Sequence, residues 1–157
     1  MLTKRMMQFF GFTLLALGFC VNVIAAKAEQ GSAEEAVAMV KKAVAFAKAK
    51  GKDQLLAEAS NPKGQFVDRD LYLSIYDLNG KVLAHGVNPK LIGKDISTLT
   101  DPDGKPFIKD ILAQAKTNGK GQEDYKWPHP VTKEYQAKSA YFEVVDGVIV
   151  SCGFYKY

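Results

Sequence analysis

Hydrophobic positions recur along this chain in two rhythms, and the switch between them divides it into elements. In GSAEEAVAMVKKAVAFAKAKG, Ala33, Val37, Val40, Val44 and Ala47 fall on one face at helical spacing. Ser32 and Glu35 stand at capping-box distance ahead of that run, so a long helix is predicted to begin there. Gly51 either ends it or marks a break before DQLLAEAS carries it on. From Leu71 the period drops to two. Leu71, Leu73 and Ile75 alternate with Tyr72, Ser74 and Tyr76, which is the pattern of a strand. Asp77-Leu78-Asn79-Gly80 reads as a hairpin turn, and Val82-Leu83-Ala84 begins the return. TDPDGKP then punctuates the chain before FIKDILAQAK, where Ile108, Ile111, Leu112 and Ala115 resume helical spacing. QEDYKW, AKSAYFEVV and VIVSCGFY complete the order as three strands, the last two joined by a tight turn at Asp146-Gly147.

Long helix, two strands, a connecting segment with a shorter helix, then three strands: this order predicts an α+β fold. Its antiparallel sheet would have about five strands, covered on one face by helices. The Ala/Val stripe is expected to pack on that sheet; the alternative is a homodimer seam through the N-terminal helix.

The first 28 residues stand apart. Lys4 and Arg5 precede the apolar run FFGFTLLALGFCV, and Ala26-Lys27-Ala28 places small residues at the two positions a signal peptidase reads. The run is short for a membrane span. The expectation is a signal peptide over 1–28, cleaved after Ala28, with one ligand-binding domain over 29–157 in the periplasm or secreted. An uncleaved N-terminal membrane anchor is the alternative. Cleavage changes the charge: the full chain has 21 basic and 17 acidic residues, and loss of Lys4, Arg5 and Lys27 leaves 18 against 17. The basic pI near 8.9 therefore gives no ground for a nucleic-acid partner. Cys20 departs as well, so Cys152 remains alone in an apolar strand, where a thiol serves as a small hydrophobe.

Candidate chemistry is sparse. Calcium loops starting at Asp77 or Asp101 would place Asn88 or Leu112 where a bidentate Glu should close the site. The two histidines, His85 and His129, have no third ligand beside them in sequence, and no metal or cofactor is expected. There is no nucleophile elbow, no GxGxxG and no phosphate loop. No pair of carboxylates can be given acid and base roles, so catalysis is not expected; a small secreted enzyme using His85 or His129 is kept as a rival. Tyr125-Lys126-Trp127-Pro128 is more suggestive. In an extended segment Tyr125 and Trp127 share a face, and Lys138 follows near Tyr141. A lysine among aromatic edges makes a receptor for a small carboxylate, with charge from the ammonium and hydrogen bonds from the rings. The bland alternative is sheet packing with a solvent-facing lysine. In a regular strand Lys138 and Tyr141 face opposite sides, so both enter one pocket only through a bulge or if Lys138 precedes the strand.

FVDRDLYLSIYDLNGKVLAHGVNPKLIGKDIS, DPDGKPFIKDI, GQEDYKWPHP and the closing GFY, in that order and spacing, resemble the single Cache domains, extracytoplasmic sensor modules of PAS-like fold. The resemblance covers most of residues 34–157. It implies a ligand pocket between the sheet and its connecting segments, and binding of a small organic acid, without catalysis, on behalf of a membrane receptor. Carried over by motif, Tyr125, Trp127, Lys138 and Tyr141 are the pocket positions, with His85 in LAHGVNP and Tyr155 in GFY behind them. The receptor pattern departs at the end, because no membrane helix or output module follows GFY before Tyr157. A free-standing sensor is therefore expected, one that delivers ligand or docks on a membrane receptor; a structural or docking protein built on the same fold is the alternative.

Overall fold

The computed structural model describes residues 30–156; the leader expected over 1–28 and its cleavage after Ala28 lie outside them. Helix α1 (Ala33–Lys50) starts at the capping box. Glu35 N–H donates to Ser32 Oγ at 3.2 Å and Ser32 N–H donates to Glu35 Oε2 at 2.8 Å, so two end donors are satisfied. At Gly51, with φ 89°, the chain leaves helical space and re-enters it as α2 (Lys52–Ala59), the second of the two outcomes open in the sequence. The buried face of α1 is Ala36, Met39, Val40, Ala43, Val44 and Ala47. The predicted stripe thus holds at Val40, Val44 and Ala47 but is rotated at its start, where Ala33 and Val37 are half-buried. Small residues at 36 and 43 let the helix lie close on the sheet.

The strands are β1 (Val67–Asp68), β2 (Leu71–Asp77), β3 (Val82–His85), β4 (Lys120–Pro128), β5 (Tyr135–Val145) and β6 (Val148–Tyr155), with α3 (Phe107–Asn118) between β3 and β4. They form one antiparallel sheet in the order β1-β2-β6-β5-β4, with β3 also pairing β2. This is the expected α+β, PAS-like architecture; the strand beyond the expected five is the two-residue β1. Asp146 and Gly147, at φ 48° and 75°, make the β5–β6 hairpin with the left-handed pair that matches strand twist.

Both faces of the sheet are covered, where one was expected. Leu71, Leu73 and Ile75 of β2, with Val148, Val150 and Cys152 of β6, pack against α1, α2 and Phe66. On the other face Tyr76, Phe142 and Ile149 pack against Phe107, Ile108, Ile111, Leu112 and Ala115 of α3. The alternation of β2 therefore separates two buried faces, aliphatic toward α1 and Tyr-Ser-Tyr toward α3. The segment 86–106, which includes a 3-10 turn at Pro89–Leu91, closes the second face by doubling back on β3. Its Ile96 N–H donates to Gly80 O at 2.9 Å, and Lys94 O accepts from Val82 N–H at 2.9 Å. Gly80 is required twice, for φ 96° in the turn and because a Cβ would sit 3.0 Å from the Ser97 backbone. Among the described residues no helix is long and apolar enough to cross a membrane.

Candidate functional site

The register of the sheet builds a hollow in its second face. Ser74 lies opposite Ser151 and also opposite His85, Ser151 lies opposite Phe142, and Gly153 lies opposite Ala140. Small side chains thus occupy the middle of the floor, with Tyr72, Tyr76 and Lys138 standing around it. Leu91, Ile96 and Leu99 from the covering segment, Ile108 and Ile111 from α3, and Tyr125 and Trp127 from β4 complete a cavity of about 50 Å³. One ordered water needs roughly 10–15 Å³, so the space exceeds a single water and suits a small ligand.

Lys138 is the charged group of this cavity and is 2% exposed. It lies within β5, paired with Tyr125 on one side and Tyr155 on the other. Its Nζ donates to Tyr72 Oη at 2.9 Å and to Tyr155 Oη at 3.4 Å, and stands 4.4 Å from the centroid of each ring. Among the described residues no carboxylate lies within ion-pair distance of it. The two tyrosine faces offset part of the cost of burying an ammonium, and a third N–H is left for a ligand. Gly153 makes this placement possible: a Cβ there would stand 2.2 Å from Lys138 Cε.

His85 flanks the same group, its ring 5.0 Å from that of Tyr72. Its Nδ1 accepts N–H from Val87 at 3.3 Å and from Asn88 at 3.0 Å, which puts the ring proton on Nε2. Burial, with the nearby Lys138 charge adding to it, pulls this imidazole down to about 4, so it is a neutral donor at ordinary pH. Tyr125 stacks on Phe107 at 4.2 Å with planes 4° apart, and Trp127 meets both edge-on at 6.2 and 5.9 Å. Burial pushes the Tyr125 phenol well up, and also that of Tyr76 despite the opposing effect of a hydrogen bond from Ser151, so both stay protonated. Asp101 ties this wall to the loop before α3. Its Oδ1 accepts from Asp103 and Lys105 N–H at 3.0 and 2.9 Å, and its Oδ2 accepts from Lys126 N–H at 3.1 Å. Burial opposes ionisation of Asp101, and these backbone donors together outweigh it and lower the pKa.

Four of the six residues marked in the sequence, His85, Tyr125, Trp127 and Lys138, line one cavity. Tyr155 stands beside Lys138 and donates to Pro128 O at 2.8 Å. Tyr141 does not join them: its hydroxyl donates to Glu143 Oε1 at 2.6 Å and its ring packs toward α1. The reason is strand geometry. The pairing of β5 runs without a register shift from Tyr135 to Val145, so Lys138 and Tyr141, three apart, face opposite sides. Tyr72, Ser74, Ser151 and Gly153 were not marked. The β2 pair was visible as the second face of the alternation, whereas Ser151 and Gly153 carry no local signal.

Comparison with known proteins agrees with this fold. The family model for single Cache domain 2 matches residues 19–156. The methyl-accepting chemotaxis protein McpP of Pseudomonas putida is 37% identical over 90 residues, 56% of this chain and 16% of that protein. The sensor histidine kinase MctS of Rhizobium johnstonii is 33% identical over 78 residues, 50% of this chain and 17% of the kinase. The match thus spans about a sixth of the length of these relatives. Among solved structures, a Cache chemosensory domain studied for carboxylic acid recognition superposes with TM-score 0.66 at 28% identity, covering 87% of this chain and 97% of that one. A periplasmic sensor domain of a chemotaxis protein gives TM-score 0.63 at 25% identity, over 79% and 90%.

Proposed function

The chain belongs to the single Cache domain 2 family, and from that premise we propose that it is an extracytoplasmic receptor domain for a short monocarboxylate. The observation that carries the proposal is the state of Lys138. A buried ammonium between two tyrosine faces, with no carboxylate beside it among the described residues, opens on a cavity lined by no acidic side chain. An anion supplies the missing partner. The third N–H of Lys138 and the Nε2–H of His85 donate to the carboxylate, and Leu99, Ile108 and Ile111 receive its carbon chain. The small volume argues for few carbons and against a second charged group in this compartment. The structural relative studied for carboxylic acid recognition supports the ligand class.

The domain senses rather than catalyses. Its relatives belong to a chemotaxis receptor and a sensor kinase, which supports coupling of ligand binding to a membrane-bound signalling protein. A purely structural or docking role needs no cavity beside Tyr125 and Trp127, and one adjoins both.

Calorimetric titration of the purified protein with acetate, propionate, pyruvate, larger acids, simple amines and acetamide tests the proposal. Short acids should bind and acetamide should not. Lys138→Met should weaken the best acid by about 2 kcal/mol, roughly thirtyfold, the scale for loss of a desolvated charged hydrogen bond. Undiminished affinity in a folded Lys138→Met protein would remove Lys138 from recognition, and preference for an amine would overturn the ligand class.

A further inference from the structure

Tyr72, His85, Leu91 and Trp127 line both the inner cavity and an adjoining open cleft of about 560 Å³. Two walls of this cleft share one device. His85 Nδ1 accepts the N–H groups two and three residues further on, from Val87 and Asn88. In HPVT, His129 Nδ1 does the same with Val131 at 3.2 Å and Thr132 at 3.3 Å. A ring nitrogen that accepts a hydrogen bond carries no proton, so each imidazole holds its proton on Nε2, the side turned away from its own loop. That tautomer is the wrong one for ligating a metal through Nε2, which requires a bare nitrogen there and a donating N–H at Nδ1. It is the right one for an anion.

The rest of the lining agrees. Lys90 from the 3-10 turn and Lys133 from the β4–β5 loop bring two cations, and no acidic side chain lines the cleft. In a chain with 17 Asp and Glu, that exclusion is a local property of this surface. The His129 imidazole and two ammonium groups thus line an open space that adjoins the inner cavity.

We propose that the outer cleft is a second anion site, taking the carboxylate group of small acids on His129, Lys90 and Lys133. It holds an acid more weakly than a buried site would, because its charges remain solvated. It does not use Lys138, so it stands or falls apart from the reading of the inner cavity.

The test is a titration of the purified Lys138→Met protein with sodium acetate at constant ionic strength, read by NMR at the imidazole resonances. The chain has two histidines, and a His85→Asn variant assigns them. The His129 resonance should shift along a saturating curve with acetate and not with acetamide. Lys90→Ala combined with Lys133→Ala should weaken that acetate affinity at least about fivefold, as expected when two cations leave one site. If Lys138→Met does not fold, the wild-type protein serves, since its His129 shift must also saturate and weaken in the double variant. A shift that grows without saturating, an equal shift with acetamide, or an unchanged curve in the double variant overturns the proposal.

Discussion

Residue 153 decides where the charge of residue 138 goes. Lys138 lies across β6 because its neighbour there has no side chain, and a methyl group would overlap Cε at 2.2 Å. Gly153 does not have positive φ, so alanine is allowed by the backbone and the conflict is confined to the lysine. Gly153→Ala should therefore weaken acid binding by about 2 kcal/mol in the wild-type background and by almost nothing once Lys138 is methionine. Calorimetry on the four proteins of that cycle measures the coupling. Equal losses in both backgrounds would show that Gly153 matters to the fold and not to the ammonium. The same pair marks the limit of what the sequence discloses. Lys138, Tyr125 and Trp127 are conspicuous because a charge among rings is conspicuous. Gly153 sits in VIVSCGFY like any strand glycine, and its role exists only once β5 has paired with β6. Tyr141 shows the opposite failure, since motif resemblance placed it in the pocket while period-two geometry places it behind the sheet.

At the scale of elements, what could be read was what local chemistry decides. The capping box at Ser32 and Glu35, the turns at Asp77–Gly80 and Asp146-Gly147, and the helical spacing from Ile108 to Ala115 all appear where the pattern put them. The path of the segment 86–106 was not legible. It is irregular and held by backbone bonds to residues such as Gly80 and Val82, partners that no periodicity names. Asp101 is the clearest case, since TDPDGKP reads as a turn and nothing in it announces a clamp on β4. Asp101→Ala should orphan the Lys126 N–H and release the loop from the strand that carries Tyr125 and Trp127. Urea denaturation should show a loss of about 1 kcal/mol, the lower end of the cost of an unpaired backbone donor, because this one is only part-buried. Acid affinity should fall with it as the aromatic wall loosens. Stability unchanged within about 0.5 kcal/mol would mean that water replaces the carboxylate and the clamp is dispensable.

For the whole molecule, the buried histidine makes stability a function of pH. His85 stays unprotonated in the folded protein until about pH 4, whereas its ordinary value is 6.5. Between these values the unfolded chain binds a proton that the folded chain refuses, so unfolding free energy rises with pH across that window and levels off above it. The full difference is roughly 3 kcal/mol. Carboxylates push in the same direction but lower down. Glu35 is lowered first by its hydrogen bond from Arg69 and Asp124 first by that from Lys156; the stability they contribute is lost only as pH falls below their ordinary 4.5 and 3.8. The interval from 6.5 to 4.5 therefore belongs to His85. Urea titrations at pH 7.0, 6.0, 5.0 and 4.5 should show stability declining through it, by most of that 3 kcal/mol. His85→Asn keeps an acceptor for Val87 and Asn88 but has no proton to refuse, so its profile over the same interval should be nearly flat. Saturating acetate bears on the same balance: a carboxylate between Lys138 and His85 screens the ammonium that helps hold the imidazole neutral, and favours the imidazolium. With acetate bound the folded-state value should move back toward 6.5 while the unfolded one stays, so the decline should be smaller and end at higher pH than in chloride of equal ionic strength. A wild-type profile already flat from pH 6.5 to 4.5, or the same slope in His85→Asn, would remove His85 as the source of the dependence.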